Sequence, residues 1–228
     1  MWKLIALGLL LGVAPGRADE ADLLVYAVKE SGLPRYLSRI LVTDAFVRID
    51  EGQDSPNGYT LYNRVSHIIY NVDPEDETVL ILTPPDRQPV KPDSLRLEEK
   101  VLEDPDAPTI AGRRPRKLEL YTNGRLCRTL QTVEGLMPRA VQGLLELRLA
   151  LARLQGVPGG AEAPDPCQLS EYLYAPGRAL AHGLPLLDSM EEKRQWLVDF
   201  RAGQVVSGET FQVPGQYQQV VPPPLGPE

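Results

Sequence analysis

The sequence predicts a β-rich α+β fold, an antiparallel sheet covered by one long helix and one or two short ones. Three observations carry this. Short apolar runs separated by turn residues recur about every ten positions from Asp22 to Leu82. A single long segment, Pro138 to Gln155, has helical periodicity. The chain has 228 residues, of which 43% are hydrophobic, enough to bury one sizeable core.

The strands follow in order. Leu23–Val28 is the first, closed by Ser31-Gly32-Leu33-Pro34. Tyr36–Val42, Phe46–Asp50, Tyr59–Tyr62, His67–Val72 and Thr78–Leu82 follow, with loops at Glu51–Gly58 and at Asp73–Glu77. Such local succession favours an antiparallel meander. Thr83–Ser94 is a proline-bearing loop. Leu95–Leu102 reads as strand in preference to a short helix, and Glu103–Pro115 as a second proline-bearing connection. Lys117–Tyr121 alternates, Asn123-Gly124 is a hairpin turn, and Arg125–Val133 returns as its partner.

Pro138 suits the first position of the long helix, Gly156 its C′ position, and Pro158 lies beyond. Val141, Leu144, Leu147, Leu151 and Leu154 share a face, while Leu145, Leu149 and Ala152 widen it, so the helix is expected to be buried on more than one side. Val157–Pro166 reads as a linker and Cys167–His182 as a short helix weakened by Pro176-Gly177. Trp196–Phe200 and Gln204–Val206 read as a hairpin around Ala202-Gly203, and Thr210–Val213 precedes a turn at Pro214-Gly215.

Residues Met1–Ala18 have the form of a secretory leader. Lys3 precedes an apolar run from Leu4 to Val13 that is too short to span a bilayer, and Gly16 and Ala18 stand at the −3 and −1 positions of a cleavage site. The expected product is cleaved after Ala18, exported to the periplasm, with a single β-rich domain over 19–221 and a disordered Pro-rich tail over 222–228. An uncut anchor helix is the alternative. No later stretch approaches about 20 continuous apolar residues, so no transmembrane span is expected after cleavage. In an oxidising compartment the two cysteines, Cys127 and Cys167, most simply form one disulfide, with two free buried thiols as the alternative.

Composition narrows the function. The net charge is −7 and no long basic block is present, which argues against nucleic-acid binding. Neither His67, within an apolar strand, nor His182, beside Gly183, stands in a nucleophile or zinc motif. No catalytic residue, cofactor or metal site is expected. Asp73, Glu75, Asp76 and Glu77 lack the spacing of a calcium loop and read as a solvated turn. Arg113, Arg114, Arg116 and Lys117 could touch an anionic headgroup but read as a solvated loop. Pro222–Pro224 offers a short polyproline segment or a frayed end.

The succession Val42-Thr43-Asp44-Ala45-Phe46-Val47-Arg48-Ile49-Asp50, Gly58–Asn63 and Ile68-Ile69-Tyr70-Asn71-Val72-Asp73-Pro74-Glu75, with the ending Phe211-Gln212-Val213-Pro214-Gly215-Gln216-Tyr217, resembles uncharacterised exported bacterial proteins. Those proteins are related to the periplasmic lipoprotein-carrier and lipoprotein-receptor (LolA/LolB-like) superfamily. The resemblance covers about half of the expected mature chain. It implies a strongly curved sheet, an incomplete barrel, whose open side is covered by helices and whose concavity shelters acyl chains. The chain departs from the carriers in its cysteine pair and its long Leu-rich helix.

The functional expectation is a non-enzymatic periplasmic protein that binds an apolar or acyl ligand, a lipid or acylated protein, in the concavity of its sheet. Leu144, Leu147 and Leu151 are the candidate lining residues, with plain core packing as their alternative role. The rival is a cell-envelope interaction module with a filled core and a protein partner. A hydrolase would instead need a cleft of converging carboxylates.

Overall fold

A computed structural model describes residues 18–52, 58–103, 105–155 and 165–223. Residues 1–17 of the leader, the centre of the 51–58 loop, Gly156 and Pro158 of the linker, and the end of the tail lie outside these residues.

The strands are β1 (Ala18–Glu30), β2 (Tyr36–Val42), β3 (Phe46–Glu51), β4 (Tyr59–Asn63), β5 (Ile69–Asp73), β6 (Thr78–Leu82), β7 (Leu97–Glu103), β8 (Arg116–Thr122), β9 (Arg125–Val133), β10 (Leu184–Ser189), β11 (Lys193–Ser207) and β12 (Gln218–Val220). They form one open sheet in the order β12-β6-β5-β4-β3-β2-β1-β11-β10-β9-β8-β7. Two antiparallel meanders, β1–β6 and β7–β11, are thus joined along the long β1–β11 pair. The helices are α1 (Pro138–Leu154) and α2 (Pro166–Gln168), the latter running into a π-helical turn over Leu169–Tyr174. A 3₁₀ turn over Leu180–His182 leads into β10.

The fold is the β-rich α+β class expected, with four local differences. The sheet is mixed, because β12 runs parallel to β6 and covers its edge. The hairpin expected around Ala202-Gly203 is instead one continuous strand, β11. There Ala202 and Gly203 oppose the single residue Asp22, and Gly203 takes the left-handed φ of +65° that a bulge needs. Its N–H donates to Asp22 Oδ1 at 3.2 Å. His67 lies ahead of β5 in the turn after β4, at a φ of +59°, and not within the strand. The short helix expected over Cys167–His182 is broken into α2, the π-helical turn and the 3₁₀ turn.

Strand alternation divides the apolar residues between two faces. Ile40 and Val42 of β2, Val47 of β3 and Tyr62 of β4 join the main core beneath α1. Leu41, Phe46 and Leu61, their neighbours in sequence, point the other way and pack with Phe211. Phe46 and Phe211 stack with ring centroids 5.7 Å apart. Arg48 fastens the same corner. Its guanidinium pairs with Asp50, donates to the Thr210 carbonyl at 2.6 Å, and lies 3.7 Å from the centroid of the Tyr59 ring. The Arg48–Asp50 strand and the Phe211 ending, far apart in sequence, therefore meet in space.

The helix α1 approaches the sheet through small residues. Ala140, Gly143, Leu147 and Ala150 are buried at i, i+3, i+7 and i+10. A Cβ on Gly143 would lie 2.7 Å from Val42 Cγ1 and 2.9 Å from Val47 Cγ2. Of the leucines expected to form the core stripe, Leu147 lies on this line, and Leu144, Leu151 and Leu154 flank it. On another side Leu145 reaches Gly177, where a Cβ would stand 2.5 Å from Leu145 Cδ1. Two ion pairs pin the helix, Arg64–Glu146 at 2.6 Å and Arg139–Asp22 at 2.6 Å. A disulfide joins Cys127 of β9 to Cys167 of α2. Among the described residues no helix is long and apolar enough to cross a membrane.

Candidate functional site

Because small residues hold α1 close to β1–β3, the next face of the helix is left without a sheet surface to fill. Leu144, Arg148, Leu151 and Gln155 succeed one another along it, and Leu147 stands between the two faces. They border a cavity of about 310 Å³ between α1, the sheet and the π-helical turn, a volume at the lower end of ligand sites (roughly 300–1,000 Å³). Ile40, Ile49 and Leu180 extend the apolar wall, with Pro176, Pro185 and Met190. Leu147 is 2% exposed and belongs also to the main core, whereas Leu151 is 37% exposed. Exposed Tyr172, Glu51 and Gln155 join Leu151 at the cavity's outer margin.

The inner end is ionic. Arg128 of β9 donates Nε to Asp188 Oδ1 at 2.7 Å, pairs a second time with Asp188 through Nη2, and donates Nη1 to Glu171 Oε2 at 2.9 Å. All three side chains are buried. Burial alone would lower the Arg128 guanidinium, but the carboxylates of Asp188 and Glu171 outweigh it and hold it above its ordinary value. Burial alone would raise Asp188, but Arg128, Arg148 and a 3.0 Å hydrogen bond from Gln195 hold it below. Tyr26 donates its hydroxyl to the Pro185 carbonyl at 2.8 Å, and burial pushes its pKa up, so it remains a neutral donor.

The network continues outward. Glu171 Oε1 accepts no hydrogen bond and lies 3.7 Å from the Arg178 guanidinium. Arg178 donates to the Glu98 carbonyl at 2.7 Å and to Glu99 at 3.1 Å, and His182 Nε2 meets Glu99 at 2.7 Å. Arg148 differs from its neighbours. It lines the cavity yet has no hydrogen-bond or ion-pair partner among the described residues. Desolvation, reinforced by repulsion from Arg128, pulls its pKa down to about 10 against the through-space attraction of Asp188, Glu171 and Tyr26.

Leu144, Leu147 and Leu151 thus stand on the cavity wall. Sequence patterning does not single out Arg128, Arg148, Glu171 and Asp188, although two signals are present. Arg148 interrupts an otherwise apolar helix face one turn after Leu144, and Arg128 shares strand parity with buried Leu130 and Thr132. The other singled-out residues lie elsewhere. His67 Nδ1 is 2.9 Å from the Tyr62 hydroxyl. Asp73 Oδ1 accepts from the N–H groups of Glu75 and Asp76 in an exposed turn. Arg116 and Lys117 pair with Glu134 and Glu119. Among the described residues no group of three His, Cys, Asp or Glu is placed to hold a metal ion.

A larger depression, about 1,070 Å³, lies beside the cavity against the disulfide. Its wall is charged, and Arg125 there is occupied by Asp165 at 3.0 Å and Glu191 at 2.5 Å.

No protein-family model matches the sequence. No curated protein matches it either. Three solved structures are similar to the chain. An uncharacterized conserved protein from Thermus thermophilus has a TM-score of 0.45 at 11% identity, over 90% of this chain and 91% of that one. PNGF-II has a TM-score of 0.43 at 9% identity, over 89% of this chain and 31% of that one. A LolA superfamily protein from Nitrosomonas europaea has a TM-score of 0.33 at 8% identity, over 88% of this chain and 92% of that one.

Proposed function

We propose that the chain is a non-enzymatic, exported cell-envelope protein that holds an apolar or acyl ligand between its sheet and α1. The observation that carries this reading is the cavity of about 310 Å³ whose apolar lining includes Leu144, Leu147, Leu151, Ile40, Ile49 and Leu180. Burying one chain against such a wall contributes about 0.8 kcal/mol per methylene, which suffices for reversible uptake of a lipid or an acylated partner. Export is supported by the leader-like N-terminal sequence and by the Cys127–Cys167 disulfide, a bond that persists in oxidising compartments. The motif resemblance to the LolA/LolB-like superfamily points the same way.

The test uses protein unfolded, stripped of lipid and refolded, then titrated with N-phenyl-1-naphthylamine, a neutral dye that brightens in apolar surroundings. Saturable brightening at one dye per chain is expected. Leu151→Trp, at the outer margin where an indole can be accommodated without disturbing the core, is expected to remove it while leaving the thermal melt in place. A folded protein with no saturable signal overturns the reading and favours the filled-core interaction module.

A further inference from the structure

An apolar ligand accounts for the leucine and isoleucine wall but not for Arg148. The guanidinium carries five N–H donors and cannot discard its charge at any ordinary pH. Its neighbours show what such a group requires inside this protein. Arg128 is met by two carboxylates, and Arg178 by Glu99 and two backbone carbonyls. Among the described residues Arg148 is met by neither kind of group. Asp188 and Glu171 hydrogen-bond to Arg128 and act on Arg148 only through space. Arg148 is half-buried on the cavity wall, so its N–H donors face whatever fills the cavity, and an anionic headgroup delivered with an apolar ligand would supply the acceptors that the protein does not.

The chemistry of the anion follows from its surroundings. The guanidinium fork matches two coplanar oxygens. Asp188 and Glu171 together already offset the charges of Arg128 and Arg148, so what Arg148 lacks is acceptors for its N–H groups, and a monoanion is the most the site can take because a dianion would place a second excess charge beside those carboxylates. Apolar side chains begin immediately next to Arg148 on the same helix, at Leu144, Leu147 and Leu151. We propose that Arg148 is the headgroup site of this cavity and that the ligand is a single-chain carboxylic acid, bound as its carboxylate with its chain along the leucine wall. This rests on the apolar-ligand reading above and names the ligand class within it.

Decanoic acid, decan-1-ol and decyl phosphate are compared as competitors of N-phenyl-1-naphthylamine at pH 8. The neutral dye reports the cavity independently of any headgroup. The acid is expected to bind about ten- to a hundredfold more tightly than the alcohol, the gain of a charge-assisted bidentate contact. Arg148→Gln is expected to bring the acid to the level of the alcohol, read as the ratio of the two affinities so that any change in dye binding cancels, and Arg148→Lys to keep part of the preference. Circular dichroism confirms that each variant is folded. Dye binding with acid and alcohol equal, or with neither competing, overturns the headgroup assignment and leaves the cavity reading standing. A preference that survives Arg148→Gln overturns it as well, and decyl phosphate binding more tightly than decanoate overturns the carboxylate class. Absence of dye binding overturns both readings together.

Discussion

Arg128 is the residue on which the inner end of the cavity depends. It pairs with Asp188 and Glu171 at once, and each is nearly inaccessible to water. Removing one partner of a buried ion pair costs about 3–5 kcal/mol, because the remaining charge has lost both water and counter-ion. Arg128→Met is therefore expected to cost that much at pH 7, read by urea unfolding. The pH dependence carries the sign. In the wild type Asp188 is held below its ordinary value, so it contributes stability that is complete above the unfolded value near pH 4 (about 3.9) and is lost as pH falls through the lower folded value. Glu146, lowered chiefly by its hydrogen bond from Arg64, acts in the same direction. In the variant, burial dominates Asp188 and raises it, so protonation relieves the strain. The gap between wild type and variant is expected to narrow from pH 7 to pH 4, and a constant gap would contradict this account.

At the scale of elements, α1 shows how packing can override hydrophobic patterning. Ala in place of Gly in a helix usually contributes up to about 1 kcal/mol of stability. At Gly143 the added methyl would meet Val42 Cγ1 at 2.7 Å, and a β-branched valine cannot swing away cheaply. Gly143→Ala is expected to destabilise by about 1–3 kcal/mol in urea unfolding, the range of overpacked cores. The sequence shows where this helix begins, because Pro138 punctuates it, but not which face is innermost. Periodicity weighs bulk, and the leucines outweigh Ala140, Gly143 and Ala150 although the smaller residues approach the sheet most closely. Strands with alternation and clear turns are similarly legible. Tyr36–Val42 and Thr78–Leu82 have the same ends in sequence and structure, and Asn123-Gly124 turns the β8–β9 hairpin with both residues at positive φ. β10 is not legible because Pro185 interrupts it, nor is β12, whose Gln218-Gln219-Val220 carries little strand signal. Gly203 reads as a turn because a glycine in a bulge and a glycine in a hairpin leave the same local trace. The ionic cluster is hidden for a different reason: its members lie on β9, the π-helical turn and β10, and only the assembled fold brings them together.

Across the whole molecule, the Cys127–Cys167 bond closes a loop of 40 residues that contains all of α1. It ties the helical cover to the sheet as well as limiting the unfolded chain, and loop closure of that length is worth about 4 kcal/mol in the chain-entropy model. Replacing both cysteines with alanine, or adding reductant, is expected to lower the melting temperature by roughly 8–16 °C. An unchanged melt would show that the bond contributes no net stability. Local pairing from β1 to β6 can be anticipated, since successive strands are adjacent in sequence. The β1–β11 seam cannot, because Asp22 and Gly203 are 181 residues apart. That seam carries a kinetic consequence. Until β11 has emerged from the ribosome, or from a membrane pore if the chain is exported unfolded, Leu23–Val28 has one edge with no mate and an apolar flank. Order between the two halves must therefore await almost the entire polypeptide, and folding of this kind is slow and exposed to mispairing. A holding chaperone that shields the first strand would protect the step at which the molecule is most easily lost to aggregation.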